Sequence, residues 1–403
     1  MGPWHPQPVI NRRWIRDSVL QDRPVRSDDK AGPEVCFANC EAPVRGRSKR
    51  WSKLLVGLLA FACVLTDPTA GLLARVAADE PEILDTPRRR FEFGSSNRRD
   101  NGEMFKLVRP LVAEVGNSVV QIVSDGTPVC LGTVVSADGY VLTKRSELSA
   151  DPIRVRLPDA RLLPARVAAI RRESDLALLQ VESDQLQLRP VEFADDDNLA
   201  IGSFLVSVGR GGNPIGLGAV SAKARTISHQ GRLGMFLRDE QGQATVERVW
   251  PLGGAAEAGV KQGDRILAID GRSEPNRSRV IESLRERFPG EIVRLTINRE
   301  GATLDLVARV QDFGLMQESE NDVKVNGPRS VRLSGFERAM QHDTVLNPDE
   351  CGGPLVDTSG RVVGMNIARA GRVVSYALPA SLVRSAVESM LLEARDLSAA
   401  ENE

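Results

Sequence analysis

The sequence predicts a mostly β protein in which an antiparallel barrel or sandwich is interrupted by a second, compact unit. Between residues 118 and 225, seven short β-branched segments bounded by Gly, Asp or Pro follow one another, and their tight turns argue against a βαβ repeat. From Gly231 onward, strand-like segments surround one amphipathic helix, "SRVIESLRERF", in a unit of about 80 residues, a normal domain size. Short strands then return before a final helix over residues 380–395.

The bulk composition bounds the class of protein. The chain has 403 residues, a formal net charge of −1, 27% charged residues and 41% hydrophobic residues. This is the profile of a globular protein with room for two or three domains. Its basic residues are mostly Arg and are scattered along the chain, so we expect no nucleic-acid partner.

The N-terminal region has the organisation of a secretory signal. Residues 45–53 are strongly basic, residues 54–65 form a continuous apolar run, and residues 76–78 are small where a signal peptidase reads. We therefore predict a signal peptide over residues 44–78 and an exported protein of the periplasm or cell envelope.

The residues ahead of this signal, 1–43, form a doubtful extension, and we expect translation to start at Val44 from a non-AUG codon. The alternative is an uncleaved signal in which residues 54–65 anchor the protein to the inner membrane. That apolar run is shorter than the roughly 20 residues that a spanning helix needs.

Pattern and composition divide the remaining chain. Residues 79–103 are polar and Arg-rich without an apolar period, which is typical of a tether, and residues 104–115 are the first with helical apolar spacing. The predicted parts are a flexible linker (79–103), the first part of the barrel domain (104–231), the compact unit (232–312), a linker (313–334), the second part of the barrel domain (335–395) and a tail (396–403).

The cysteines do not predict a metal site. Cys36 and Cys40 have a close spacing, but no second pair accompanies them. Removal of the signal leaves Cys130 and Cys351, which could form one disulfide or none in an exported protein. We predict neither a metal nor a cofactor.

Four stretches of the barrel domain resemble one family. "DGYVLTKRSEL", "AIGSFLVSVGRGGNPIGLGAVSAKAR", "ESDLALLQV" and "MQHDTVLNPDECGGPLVDTSGRVVGMN" are similar to sequence blocks of the Deg/HtrA family of exported trypsin-like serine proteases. The resemblance covers most of residues 104–228 and 335–385. It implies a trypsin-like double β-barrel.

The compact unit resembles a bacterial PDZ domain through "PLGGAAEAGVKQGDRILAIDG" at residues 251–271. Here the unit lies inside the protease domain, whereas in family members PDZ domains follow it; insertion is tolerated at surface loops whose ends lie close together. A PDZ domain implies a protein or peptide C-terminus as partner, bound by β-augmentation.

The resemblance also assigns the peptide-binding residues of this unit. These are Leu233 and Gly234 at the carboxylate, Met235, Phe236 and Leu237 along the groove strand, and Val280 in the pocket. For Met235, Phe236 and Val280 the alternative is that they are simply core residues.

The residues that acyl transfer requires are only partly present. The reaction needs a nucleophile, a base, an orienting acid and an oxyanion hole. By the resemblance, Asp175 is the acid and Cys351 takes the place of the nucleophilic Ser, but Ser146 takes the place of the base His. A hydroxyl cannot accept a proton near neutral pH. The mature chain has only His229 and His342, and we expect neither within about 4 Å of the Cys351 sulfur.

The neighbours of Cys351 disfavour catalysis further. Asp349 replaces the Gly that contributes an N–H to the oxyanion hole, and Glu350 precedes the thiol. Two carboxylates disfavour both a thiolate and a developing oxyanion. Cys351 is then a small buried residue in place of Ser, a redox or disulfide-forming thiol, or a catalytic nucleophile.

Cys130 opens a strand that the resemblance brings to the wall of the same cleft. We therefore expect Cys130 and Cys351 to be neighbours, with Cα atoms about 6–9 Å apart, a range that includes both bridged and unbridged pairs.

Together these observations predict an exported Deg/HtrA-like pseudoprotease that binds C-termini through its PDZ domain. The alternative is an active trypsin-fold endopeptidase that degrades exported or misfolded proteins with Cys351 as nucleophile. The resemblance also implies a homotrimer formed through N-terminal residues such as 104–115. Membrane contact is expected only through an uncleaved signal segment.

Overall fold

The computed structural model describes residues 101–148, 151–183, 186, 188–274 and 276–401, with side chains up to residue 397. The predicted signal peptide and extension, nearly all of the predicted 79–103 linker, and Cys36 and Cys40 lie outside these residues. None of the described helices is both long and apolar enough to cross a membrane.

The described chain begins with helix α1 (Gly102–Val112). The Asn101 side chain caps it by accepting hydrogen bonds from the backbone N–H groups of Glu103 and Met104, both at 2.9 Å. Leu107 is 71% exposed on this helix. Helical apolar spacing in the sequence therefore corresponds to a real helix, which starts two residues earlier than expected.

Six antiparallel strands form a first closed barrel, in the order β1-β2-β3-β6-β5-β4. Its strands are β1 (Val119–Ser124), β2 (Thr127–Val134), β3 (Tyr140–Lys144), β4 (Ile153–Arg156), β5 (Leu162–Arg171) and β6 (Leu176–Val181). Apolar side chains from alternate strand positions, among them Ile122, Val141 and Leu179, fill its interior.

Strands β7 (Phe204–Val208) and β8 (Pro214–Ile227) begin a second barrel, and an inserted unit follows. The unit contains β9 (Gly231–Arg232), β10 (Met235–Glu240), β11 (Gln243–Val249), α2 (Gly254–Glu257), β12 (Arg265–Ile269), β13 (Arg272–Ser273), α3 (Arg277–Arg285), β14 (Ile292–Arg299), β15 (Ala302–Arg309) and β16 (Gln311–Asp312). Its main sheet has the order β10-β11-β12-β14-β15, so β10 is an edge strand, and β9 pairs with β16.

Two short helices, α4 (Phe313–Met316) and α5 (Glu320–Asn326), occupy the region that we expected to be a polar linker. The second barrel is then completed by β17 (Phe336–His342), β18 (Pro354–Asp357), β19 (Val362–Gly371) and β20 (Val374–Pro379), in the closed order β17-β20-β19-β18-β7-β8. Strands β8 and β17 pair antiparallel although residues 228–335 separate them in sequence.

The last helix, α6 (Ala380–Glu401), extends beyond residue 395, so the expected frayed tail from 396 is wrong as far as Glu401. A core cluster joins both barrels to this helix. It includes Leu142 and Leu178 from the first barrel, Ile367 and Leu378 from the second, and Met390 from α6. The predicted fold class, mostly β with a trypsin-like double barrel and a PDZ domain, is confirmed by this architecture and by the family matches given below.

Candidate functional site

Ser146 and Asp175 form a closed pair at the end of the first barrel. The Ser146 N–H donates to Asp175 Oδ1 at 2.9 Å, and the Ser146 hydroxyl donates to Oδ2 at 2.8 Å. Both side chains are buried, and burial is the largest cause that raises the pKa of the Asp175 carboxyl. In a protease of this fold, the acid would orient a histidine. Here its two oxygens are occupied by a serine that cannot act as a base.

Lys144 lies between the two halves of this site, and the sequence analysis did not identify it. Its fully buried ammonium donates to Glu147 Oε1 at 2.9 Å and to Ser330 Oγ at 3.1 Å. Burial alone would lower the Lys144 pKa, but the negative charge of Glu147 and the neighbouring Cys351 and Asp175 raise it above its ordinary value. Lys144 is therefore a permanent ammonium, and it cannot take a proton from Cys351.

The Cys351 side chain is fully buried and its thiol is protonated. Burial is the largest cause that raises its pKa, from 9.0 to about 11, and the Lys144 ammonium and the Ser330 hydroxyl only partly offset this effect. The acidic neighbour Glu350 acts in the expected direction but is a smaller cause than burial. The sulfur contacts the Asn347 carbonyl oxygen at 3.6 Å.

The backbone before Cys351 forms a 3-10 turn, Pro348–Glu350, that directs its N–H groups inward. The Cys351 N–H donates to the Pro348 carbonyl at 3.3 Å, and the Glu350 N–H donates to the Asn347 carbonyl at 3.1 Å. Asp349, at the oxyanion-hole position, is exposed. The Cys351 N–H would have to leave its internal partner before it could bind an oxyanion.

The two histidines have other partners. His342 is fully buried, its Nδ1 hydrogen-bonds with Thr344 Oγ1 at 2.8 Å, and burial lowers its pKa to about 4. His229 Nε2 hydrogen-bonds with the Arg287 carbonyl at 2.8 Å. Within the described residues, no hydrogen bond joins either imidazole to Cys351.

A segment after α5, residues 328–335, runs through the cleft between the barrels. The Ser330 N–H donates to the Arg369 carbonyl at 3.1 Å, and the Arg369 N–H donates to Ser330 Oγ at 3.0 Å. On the other side, the Val331 N–H donates to Glu147 Oε1 at 3.3 Å. The chain itself therefore bonds to both walls of the cleft beside Cys351.

Arg332 is the most deeply placed residue of this segment, with no exposed surface. Its guanidinium lies 3.9 Å from Asp175 Oδ1 and stacks over the rings of Phe288 and Phe336, at 4.2 Å and 4.8 Å from their centroids. It also donates to four backbone carbonyls, those of Arg172, Glu173, Ser334 and Gly335. Every donor direction of the fork is thereby used.

The inserted unit adds a further cover over the Ser146 side of the cleft. Glu291 accepts two hydrogen bonds from Arg172, both at 2.8 Å, and a third from Arg145. The adjacent Gly290 has a φ of +89°, and a Cβ placed there would come within 3.0 Å of Ser146 Cβ. A side chain at this position would be strained and crowded, so the close approach depends on glycine.

Cys130 and Cys351 are both free thiols. The Leu131 N–H donates to the Cys351 carbonyl at 2.8 Å, so the two cysteine-bearing segments are adjacent. The Cys130 sulfur instead contacts Thr143 Oγ1 at 3.1 Å, and burial raises its thiol pKa to about 12.

The inserted unit carries a groove of about 480 Å³ between β10 and α3. Leu233, Gly234, Met235, Phe236 and Leu237 all line it, as the sequence predicts. The expectation for Val280 is wrong. Val280 is fully buried in the core of the unit, and the adjacent Ile281, one helical position on, lines the groove with Leu284.

Comparisons with known proteins agree with this architecture. A trypsin-like peptidase domain model matches residues 130–250, and a PDZ domain model matches residues 231–310. The periplasmic pH-dependent serine endoprotease DegQ of Escherichia coli is 37% identical over 108 residues, 26% of this chain and 23% of that protein. A probable periplasmic serine endoprotease DegP-like of Hahella chejuensis is 37% identical over 106 residues, 25% and 22% respectively.

A probable periplasmic serine protease do/HhoA-like of Haemophilus influenzae is 40% identical over 89 residues, 22% of this chain and 18% of that protein. The chain thus spans about a fifth of the length of the curated relatives it matches. The double barrel and its inserted groove define a trypsin-like peptidase fold that carries a PDZ domain. The chain belongs to the Deg/HtrA family.

Replacement of Arg332 by Met should lower the free energy of unfolding by about 3–5 kcal/mol, because Asp175 loses its buried counter-charge and four carbonyls lose their donor. Urea denaturation followed by circular dichroism measures this loss. The matched control is Arg154→Met on the exposed side of β4, which should change stability by less than about 0.5 kcal/mol. A loss below about 1 kcal/mol in Arg332→Met would show that the cleft closes without this residue.

Cys351 should resist alkylation in the folded protein. With a pKa of about 11, roughly one thiol in a thousand is ionised at pH 8, and the rate of its reaction with iodoacetamide should rise with pH. Peptide mass spectrometry of the Cys351 peptide measures this, with the urea-unfolded chain as the reactive control. Equal rates in the folded and unfolded chains would contradict the buried, protonated thiol.

The same raised pKa has a consequence for stability. Because the folded thiol has a pKa above its ordinary value of 9.0, its contribution to stability is complete below pH 9 and is lost as pH rises towards 11.

Proposed function

We propose that this protein is an exported pseudoprotease of the Deg/HtrA family, which binds the C-termini of proteins or peptides through its PDZ groove and does not cleave them. The observation that carries the proposal is the pairing of Asp175 with Ser146, because this pair occupies the place of the acid and base of a triad.

Three further features support the absence of catalysis, and each has a different physical cause. Burial keeps the Cys351 thiol protonated. The turn before it uses the Cys351 N–H internally. The segment around Ser330 fills the cleft, so a substrate would have to displace it. Restoring any one of these features would leave the others in place.

The binding function rests on the edge of the PDZ sheet. Strand β10 is the last strand of its sheet, so one side of its backbone is free to pair with an added strand. At its start, the N–H groups of Leu233 and Gly234 make no hydrogen bond within the described part of the chain. Two adjacent unpaired N–H groups are suited to a terminal carboxylate.

Export is proposed from the basic and apolar N-terminal pattern and from the periplasmic relatives. We also propose a homotrimer assembled through the N-terminal region, where Leu107 of α1 is largely exposed.

The purified protein should not degrade unfolded casein, with or without a PDZ-binding peptide. Cys351→Ala provides the baseline, and gel electrophoresis or fluorescent casein measures release of fragments. We expect the parent and Cys351→Ala to be indistinguishable. Cleavage by the parent that Cys351→Ala abolishes would overturn the proposal and establish the active endopeptidase.

A fluorescein-labelled decapeptide with an apolar C-terminal residue should bind the full chain in fluorescence polarisation. Ile281→Ala should weaken this binding about tenfold, since it removes apolar area from the groove. Val307→Ala on β15 is the matched control, because Val307 is exposed on the strand at the far edge of the sheet. Equal binding of a peptide with an amidated C-terminus would contradict carboxylate recognition.

A further inference from the structure

We propose that the PDZ groove selects C-termini whose last residue is large and apolar and whose third residue from the end is Asp or Glu. This inference rests on the proposed function, because it specifies the peptide that the same groove binds. It follows from three placements: the carboxylate site, the strand that pairs with the peptide, and an arginine on the opposite wall.

The carboxylate site fixes the end of the peptide. It lies in the loop between β9 and β10, where Gly234 has a φ of +80° and Leu233 and Gly234 have unpaired N–H groups. The exposed Arg232 precedes this loop and also lines the groove. A terminal carboxylate there gains two N–H donors and a nearby positive charge.

The free edge of β10 fixes the direction and register of the peptide. An extended peptide that pairs antiparallel with β10 starts at the carboxylate loop and advances about 3.3 Å per residue. With its last residue beside Met235, its third residue from the end lies beside Leu237. Side chains of an extended strand alternate, so these two residues both point towards α3.

The first of these positions faces an apolar pocket. Ile281 and Leu284 of α3 line it, together with Phe313 and Met316 from α4. The Trp250 Nε1–H donates to the Met316 carbonyl at 2.7 Å, which holds α4 against the groove. Because α4 follows the last strand of the inserted unit, this pocket is larger than the sheet and α3 alone would make it. It suits a Leu, Phe or Met side chain.

The second position faces Arg277, the first residue of α3. Its Nε–H donates to the Leu237 carbonyl at 2.8 Å, which places the guanidinium at the level of Leu237. Arg277 is exposed, and within the described residues it has no carboxylate partner. Its terminal N–H groups are available to a peptide carboxylate, which they can bind through two parallel hydrogen bonds.

The charge of the groove supports the same partner. Arg232, Arg277 and Arg285 line it, and Glu247 is the one acidic residue among its described lining. Arg248 adds a further positive charge, since its guanidinium lies 4.3 Å from the centroid of the Phe236 ring. A peptide with an acidic side chain reduces this repulsion between like charges, and a basic peptide increases it.

The test compares three labelled decapeptides that end in Leu and differ only at the third residue from the end, which is Glu, Gln or Lys. Fluorescence polarisation with the full chain should show the Glu peptide binding about fivefold more tightly than the Gln peptide, the effect of one partly exposed charge pair. The Lys peptide should bind more weakly than either. The preference should shrink as NaCl is raised.

Three variants assign the preference to Arg277. Arg277→Gln should make the Glu and Gln peptides equivalent while the Gln peptide still binds, and Arg277→Lys should retain part of the preference because it keeps the charge. Arg279→Gln is the matched control on the same helix, since Arg279 pairs with Glu282 at 3.5 Å, and it should change nothing.

The outcomes separate this inference from the proposed function. Equal binding of the Glu and Gln peptides overturns the acidic preference and leaves the PDZ groove as a carboxylate site. A preference that survives Arg277→Gln also overturns the inference, because another residue must then provide it. No binding of any of the three peptides overturns the proposed function itself.

Discussion

A single buried guanidinium, that of Arg332, holds the closed form of this protein together. A charge in the interior is stable only when it is paired and fully hydrogen-bonded. Arg332 meets this condition with the carbonyls of Arg172 and Glu173 in the first barrel, the ring of Phe288 in the PDZ domain and the ring of Phe336 in the second barrel. These partners belong to three separate parts of the fold, so satisfying the charge fixes all three in one arrangement.

The charges around the former catalytic cleft balance one another. Lys144 and Arg332 supply two positive charges, and Asp175 and Glu147 supply two negative charges. In an active trypsin-like protease, a neutral imidazole would separate the acid from the nucleophile. Here a cation takes that electrostatic role from each side, so the carboxylate of Asp175 is retained as a structural anion after the base has been lost.

The covered cleft and the open groove belong to one continuous stretch of chain. Phe313 and Met316 line the groove, and residues 328–335, only a short distance further along the sequence, fill the cleft. The protein thus presents one peptide-binding surface and covers the other with its own backbone. The arginines at the open surface give it a charge preference that the Deg/HtrA resemblance alone does not supply.

The sequence by itself determined the fold and the positions of the degenerate triad. Alternating short strands predicted the barrels, and the spacing of the motif blocks brought Ser146, Asp175 and Cys351 to the places of base, acid and nucleophile. These features depend on patterns within one strand or one turn, which a sequence displays directly. Lys144 also left a trace, because it follows Tyr140 and Leu142 at every second position of β3, and both face the buried cluster between the barrels.

Only the tertiary structure decided the roles of Ser330 and Arg332. In the sequence they belong to a polar stretch between two domains, and nothing within that stretch indicates burial. Their partners, such as Arg172 and Lys144, are more than 150 residues away. The exchange of Val280 for Ile281 has a related cause, since one residue rotates a helical position by about 100° and only packing fixes which face meets the groove. Contacts of this kind are set by how separate elements meet, and local pattern carries no record of them.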